Sequence, residues 1–333
     1  MALAILALLA IAFGSLTGLM LVYSVNLPQI EDLEHYRPIT STELYDIHGR
    51  VIGSFALQRR ININYDDFSP LLRQAVISIE DKDFEKHGGV NLIRIVGAAY
   101  HDLRSKGRAQ GASTITMQLA RNLFLSDERT VSRKLQEIFL SIQIEHAFTK
   151  QQIFTLYGNQ IYLGHGIYGF EAASEYYFSK HANDLALPEA ALLAGLPKGP
   201  NEFSPILNPG RAFRRRNAVI NAMLEDGAIS ATQADAARTA PLGLHLEPPP
   251  NSVAPWFVEA VRRELVSEYG SDRVHEAGLK VYTTLDLDLQ EAANRAVEDG
   301  LAAYERSRGW RGPVLNVIAG GIALDDFKHP DWT

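Results

Sequence analysis

No cysteine occurs among the 333 residues, so disulfides and thiolate metal sites are excluded, and redox state says nothing about compartment. No excess of positive charge exists either: the net charge of -7 gives no general nucleic-acid signature, although Arg129, Arg133 and Lys134, and then Arg211 and Arg214 to Arg216, leave room for a local anion. No Gly-Lys-Ser or Gly-Lys-Thr follows any glycine, which argues against a nucleotide-binding P-loop. The Gly164-x-Gly166-x-x-Gly169 run does not follow a clear strand in a βαβ unit, so a dinucleotide site is discounted and close packing is the commoner reading.

Charge is also missing from Ala2 to Val25. That length matches the roughly 20 apolar residues that cross a bilayer and exceeds a typical signal core. No small-x-small cleavage site precedes the acidic Glu31, Asp32 and Glu34. We read residues 1–25 as an uncleaved single-pass anchor with the following portion outside the cytoplasm. The remainder is long enough for two folded units. A juxtamembrane segment (26–68) holds a β-hairpin turning at Asp46 to Gly49, a main unit spans 69–243, and Pro248 to Pro250 mark the start of a final segment (244–333).

Ser69-Pro70 starts a helix expected to run from Leu71 to Lys86. On it Leu72, Val76, Glu80 and Phe84 share one stripe at four-residue spacing. A carboxylate in an apolar row is partly desolvated, which suits a general acid or base; a glutamate at the helix edge reaching solvent is the even alternative. A moderately apolar helix (Leu92 to Leu103) and a basic, glycine-containing loop (Arg104 to Ala112) follow.

Ser113 then caps a helix with Thr114, Gln118, Arg121 and Asn122 on one polar face and Ile115, Leu119 and Leu123 towards the other. Such a face suits an anionic, hydroxyl-rich ligand, though a solvated face is the more frequent explanation for this stretch alone. Ser126-Asp-Glu opens a helix carrying Arg133, Lys134 and Glu137 within about one turn, which in isolation reads as an ordinary surface pair. Thr149 to Gln152 form a capping box. Helices are expected at Glu189 to Leu196, Arg211 to Glu225, Pro255 to Tyr269 and Leu287 to Arg306, with a strand at Leu279 to Leu285. In the run Arg214 to Arg216 the solvated reading stands slightly ahead of an anion site.

Five motifs in order are more specific than any one. Glu80-Asp-Lys-Asp-Phe84 with His87 and Gly89, Gly111 to Gln118, Arg133 to Glu137, Ile161 to Gly169 and Ala190 to Pro197 together resemble the glycosyltransferase family 51 domain of class A penicillin-binding proteins. The resemblance covers roughly Leu44 to Gly227. It implies a mainly α, lysozyme-like domain after a single transmembrane helix, lying at the plasma (inner) membrane on its periplasmic or extracellular side and polymerising lipid II into β-1,4-linked glycan. Glu80 matches the base that deprotonates the acceptor 4-hydroxyl, and Glu137 the second carboxylate near the departing undecaprenyl diphosphate, with a divalent metal such as Mg or basic groups. Asp81, Phe84, His87, Ser113, Thr114, Gln118, Arg121, Asn122, Arg133 and Lys134 match substrate-binding positions. Partners implied are lipid II, the growing chain, the membrane and cell-wall assembly proteins, with no nucleic acid.

Three positions depart from that pattern: Asn91 stands where Asp is usual, Met117 where Gln is common and Gly158 where Leu is usual. Val281 to Asp286 and Gly309 to Pro313 resemble the entry to the transpeptidase half, giving a partial mixed α/β C-terminal segment. No Ser-x-x-Lys with a later Lys-Thr-Gly is present, so acylation by penicillin is not expected. A lysozyme-like hydrolase, which also needs a glutamate in a glycan cleft, and a non-catalytic membrane-anchored scaffold are the alternatives.

Overall fold

The computed structural model describes residues 14, 18, 42–55, 59–91, 113–125, 130–246 and 253–309. The helices among them are α1 (Pro70–Glu80), α2 (Ile115–Phe124), α3 (Val131–Ala147), α4 (Lys150–Gln160), α5 (Phe170–Phe178), α6 (Leu187–Gly195), α7 (Pro209–Glu225), α8 (Ala231–Thr239), α9 (Pro255–Tyr269), α10 (Ser271–Glu276) and α11 (Leu287–Ser307). The strands are β1 (Thr42–Tyr45), β2 (Val51–Phe55), β3 (Arg59–Arg60), β4 (Ile167–Tyr168) and β5 (Lys280–Tyr282). The described chain is thus mainly α.

Most of the core belongs to one cluster centred on α6. Ala190 to Gly195 are all buried, and a helix apolar on every side must be enclosed. α1 and α7 pack on it from two directions. Ser69 caps α1, its Oγ accepting the Leu72 N–H at 3.1 Å, and Leu72, Ala75 and Val76 form the buried face. α2, α3 and α4 pack on one another; the Thr149 capping box is formed, with Gln152 as its partner.

α1 stops at Glu80, six residues before the expected end at Lys86. Asp81 leaves the helix as its C-cap at φ -157° and ψ 72°, and Phe84–Lys86 form a separate 3-10 turn. Phe84 is still buried, but it reaches the core from that turn and not along the stripe. Sequence reading also overlooked α5, α8 and α10. α8 carried a visible signal, the Ser230 and Gln233 capping box.

A second, smaller cluster joins Leu44, Ile52 and Phe55 to Val258 and Val274. β1 pairs with β2 in antiparallel fashion and with β5 in parallel, giving the order β2-β1-β5. Segments assigned separately to 26–68 and 244–333 therefore share one sheet, and Tyr45 stacks on Tyr282 with ring centroids 5.1 Å apart.

Several expectations lie outside the described residues: the anchor at 1–25 apart from Gly14 and Gly18, the helix at 92–103, the loop at 104–112, the Ser126 cap, the prolines at 248–250 and everything from Trp310. Among the described residues no helix is long and apolar enough to cross a membrane.

Candidate active site

The site begins where α1 ends. Asp81 is fully buried, and its Oδ2 accepts from the Ile115 N–H at 3.0 Å and from His87 Nε2 at 2.9 Å. The first of these donors is one of the N–H groups that a helix start leaves without an internal partner. Gly89 donates its N–H to His87 Nδ1 at 3.2 Å, which leaves the ring proton on Nε2, facing Asp81. One carboxylate thereby fastens the end of α1, the loop after it and the start of α2.

Thr114, not Ser113, is the cap of α2. Its Oγ accepts the Met117 N–H at 3.1 Å and donates to the Gly89 carbonyl at 2.6 Å. Gly89 has φ +93°, and a Cβ there would lie 2.5 Å from the Ser141 carbonyl oxygen of α3. Only glycine fits both the backbone conformation and the gap.

Gln118 follows Thr114 by one turn, and its Nε2 donates to Glu80 Oε2 at 2.8 Å. Bonds to an ionised group are worth about 1.5–3 kcal/mol net, enough to fix a side chain that is only 13% exposed. On the other side Arg215 of α7 places Nη2 3.5 Å from Glu80 Oε1. Arg215 Nε donates to the Gly195 carbonyl at 3.0 Å. Burial pulls the Arg215 guanidinium below its ordinary pKa, and the Glu80 charge works against that pull. Tyr157 Oη lies 3.5 Å from Gln118 Oε1; burial first, then the Glu80 charge, raise its pKa well above the usual phenol value.

The second cluster is on α3. Glu137 is 1% exposed, with Lys134 Nζ 2.8 Å from Oε2 and Arg133 Nε 3.2 Å from Oε1. Lys134 also donates to Ser113 Oγ at 2.7 Å. The two clusters therefore meet through the start of α2, where Ser113, just before the cap, faces Lys134 and Gln118, one turn into the helix, faces Glu80. Beneath them Thr116 donates to Glu145 at 2.6 Å. Lys150 donates to Glu145 at 2.8 Å and to the His87 carbonyl at 2.7 Å, and sits over the Phe84 ring.

The residues expected to bind substrate divide by burial. Asp81, Phe84 and Thr114 are buried, with Asp81 and Thr114 bonded within the protein, and they hold the site together. His87 is 8% exposed at its side chain and belongs with them. Ser113, Arg121, Arg133 and Lys134 are partly accessible at its edge, Asn122 is exposed, and Gln118 is buried with its amide turned to Glu80.

The arginine run splits three ways. Arg214 is exposed, as the solvated reading has it. Arg216 is fully buried and donates to the carbonyls of Arg238, Ala240 and Pro241. Arg215 reaches Glu80, a contact that sequence reading missed.

Comparison with known proteins follows the same residues. The Transglycosylase family model matches residues 48–224, just over half of the chain. Penicillin-binding protein 1A of Escherichia coli K12 is 40% identical over 321 residues, covering 96% of this chain and 38% of the relative. That of Aquifex aeolicus is 42% identical over 293 residues, covering 88% of this chain and 40% of the relative. A crystal structure of penicillin-binding protein 1A from Haemophilus influenzae matches at 27% identity and a TM-score of 0.47, covering 84% of this chain and 32% of that one. The chain spans about two fifths of the length of these curated relatives. With the motif order, the matched span and the identity in agreement, the chain belongs to the transglycosylase family.

Proposed function

We propose that the chain is a peptidoglycan glycosyltransferase that polymerises lipid II, with Glu80 as general base. The observation that carries this reading is the pairing of a nearly buried carboxylate, held by Gln118 and Arg215, with a cation cluster on α3 tied to the same helix start. In the reaction the acceptor 4-oxygen bonds to the donor's anomeric carbon as the carbon–oxygen bond to the diphosphate breaks. The electron pair leaves with undecaprenyl diphosphate, the hydroxyl proton passes to Glu80, and the configuration inverts. Fixed cations placed where the leaving charge develops lower the barrier without reorganising.

Glu137 acts by orienting Arg133 and Lys134, both within 3.2 Å of it. A divalent cation such as Mg is bound mostly through oxygens, often one or two carboxylates with substrate phosphates. Here one carboxylate already faces two cations, a poor fit, so we assign the diphosphate charge to Arg133 and Lys134 and route no step through a metal. Arg121 and Asn122, near the outer end of the polar face, are assigned to sugar or diphosphate contacts. Residues 1–25 would hold the domain at the plasma membrane on its outer side, beside a lipid-linked substrate and within reach of cell-wall assembly proteins.

A hydrolase of the lysozyme type needs a carboxyl that stays protonated as an acid. Here both carboxylates sit beside cations, Glu80 by Arg215 and Glu137 by Arg133 and Lys134, an arrangement that suits a base more than an acid. Incorporation of labelled lipid II by detergent-solubilised protein tests the reading. Growing glycan strands in the wild type that disappear in Glu80→Gln are expected. Chain shortening would point to the hydrolase, and binding without turnover to a scaffold.

A further inference from the structure

We infer that Arg215 is a positioning residue for the base: it fixes the Glu80 carboxylate from the α7 side, with Oε1 as the oxygen that receives the acceptor's proton. The inference rests on the reading of Glu80 as general base and adds a residue and an atom to it.

The two carboxylate oxygens are held unequally. Oε2 takes the 2.8 Å bond from Gln118, an ordinary hydrogen-bond length. Oε1 has Arg215 Nη2 at 3.5 Å, well beyond the 2.7–2.9 Å usual for a charge-assisted bond. At that distance the cation still acts through its field, but Oε1 keeps a lone pair for an incoming hydroxyl. Among the described residues, Arg215 is the cation within ion-pair distance of Glu80.

The cation cannot swing aside as a surface arginine would. Its side chain is 11% exposed, its Nε is tied to the Gly195 carbonyl, and its guanidinium lies over Phe203 at 5.8 Å. Room for the arm is made by Gly195, where an added Cβ would come within 3.0 Å of Arg215 Cγ. The other groups around Glu80 do not replace it. Gln118 of α2 is neutral, Tyr157 of α4 stays protonated through burial, and Asp81 adds negative charge next in the chain. Arg121 of α2 and Asp81 act with opposite sign on the same buried Tyr157 hydroxyl. An opposite charge within about 4–6 Å favours the charged form of a carboxylate.

The test is the pH dependence of lipid II elongation between pH 5 and 9 in the full chain, for wild type, Arg215→Met, Arg215→Lys and Glu80→Gln, with a thermal melt of each. The acid limb of kcat/KM reports the base of the free enzyme. In Arg215→Met that limb is expected to move to higher pH, with kcat reduced. Arg215→Lys restores the limb towards its wild-type position. If Arg215→Met melts below the assay temperature, Arg215→Gln carries the same expectation.

An arginine with only a structural role would lower the melting point or the rate and leave the limb in place. An unmoved limb in the neutral variant, with elongation lost in Glu80→Gln, overturns the inference alone. Elongation that survives Glu80→Gln overturns the base assignment, and this inference with it.

Discussion

Gln118 and Glu80 meet side chain to side chain at 2.8 Å although 38 positions separate them in the chain. The contact exists because Asp81, next to Glu80, also binds the N–H of Ile115 at the start of the helix that carries Gln118. A single buried carboxylate thus sets the distance between the base and the residue that orients it.

Substitutions at the two functional carboxylates should act differently. Glu80→Gln is expected to abolish lipid II incorporation, since an amide cannot take the proton. Glu137→Gln is expected to impair it severely through misplacement of Arg133 and Lys134, while a chelator leaves wild-type elongation largely intact. Loss of activity on chelation, restored by Mg, would move the charge-stabilising role to a metal.

Gly89→Ala should damage the site without touching substrate. The residue would need φ +93° and a Cβ 2.5 Å from the Ser141 carbonyl oxygen. Strain of about 1–3 kcal/mol from the backbone conformation alone is expected, with the clash added to it. Chemical unfolding measures the loss; a variant as stable as wild type would show that the loop and α3 can separate cheaply.

Neighbouring arginines should give opposite results. Arg216→Ala leaves the Ala240 and Pro241 carbonyls without their donor, the Arg238 carbonyl keeping only Asn217, and opens a cavity, so a loss of about 2–4 kcal/mol is expected. Arg214→Ala, at an exposed position, should stay within about 0.5 kcal/mol. Equal unfolding midpoints for the two would contradict the assignment of Arg216 as a core residue.

His181 gives the fold a pH-dependent contact remote from the chemistry. Its Nδ1 lies 2.6 Å from Glu171 Oε1, and that bond raises its pKa above the ordinary 6.5. The folded state therefore binds the proton more tightly than the unfolded chain. The stabilisation is complete below about pH 6.5 and is lost as pH rises through the raised folded value. The gap in melting temperature between wild type and His181→Ala should be wider at pH 5.5 than at pH 9; a constant gap would remove the linkage.

What the sequence made legible was local. The caps and apolar periods located α1, α4, α7, α9 and α11 to within a few residues at most starts, because those signals act within a turn or two. The α7 register went unread: Ala212, Arg216, Ile220 and Met223 fall on its buried face, a spacing that separates Arg216 from Arg214, whereas the solvated reading takes the run together. The early end of α1 was not readable, since Asp81 is drawn out of the helix by partners at 87 and 115. The Arg215 contact with Glu80 spans 135 positions and leaves no periodic trace. Gly158, unusual for its motif, became intelligible only in space, where a Cβ would stand 2.8 Å from the Phe68 ring.

The pairing of β1 with β5 has a consequence for the order of synthesis. Glu43 finds Lys280, and Leu44 finds Val281, only after the intervening helices have left the ribosome. A two-stranded hairpin is marginal by itself, so β1 waits with an open edge while the main core forms, and such long-range pairing is slow. Ribosome-bound chains halted before residue 280 should therefore resist proteolysis in the helical body yet be cut readily between residues 42 and 55, whereas chains halted far enough beyond α11 for it to clear the exit tunnel should be protected at both.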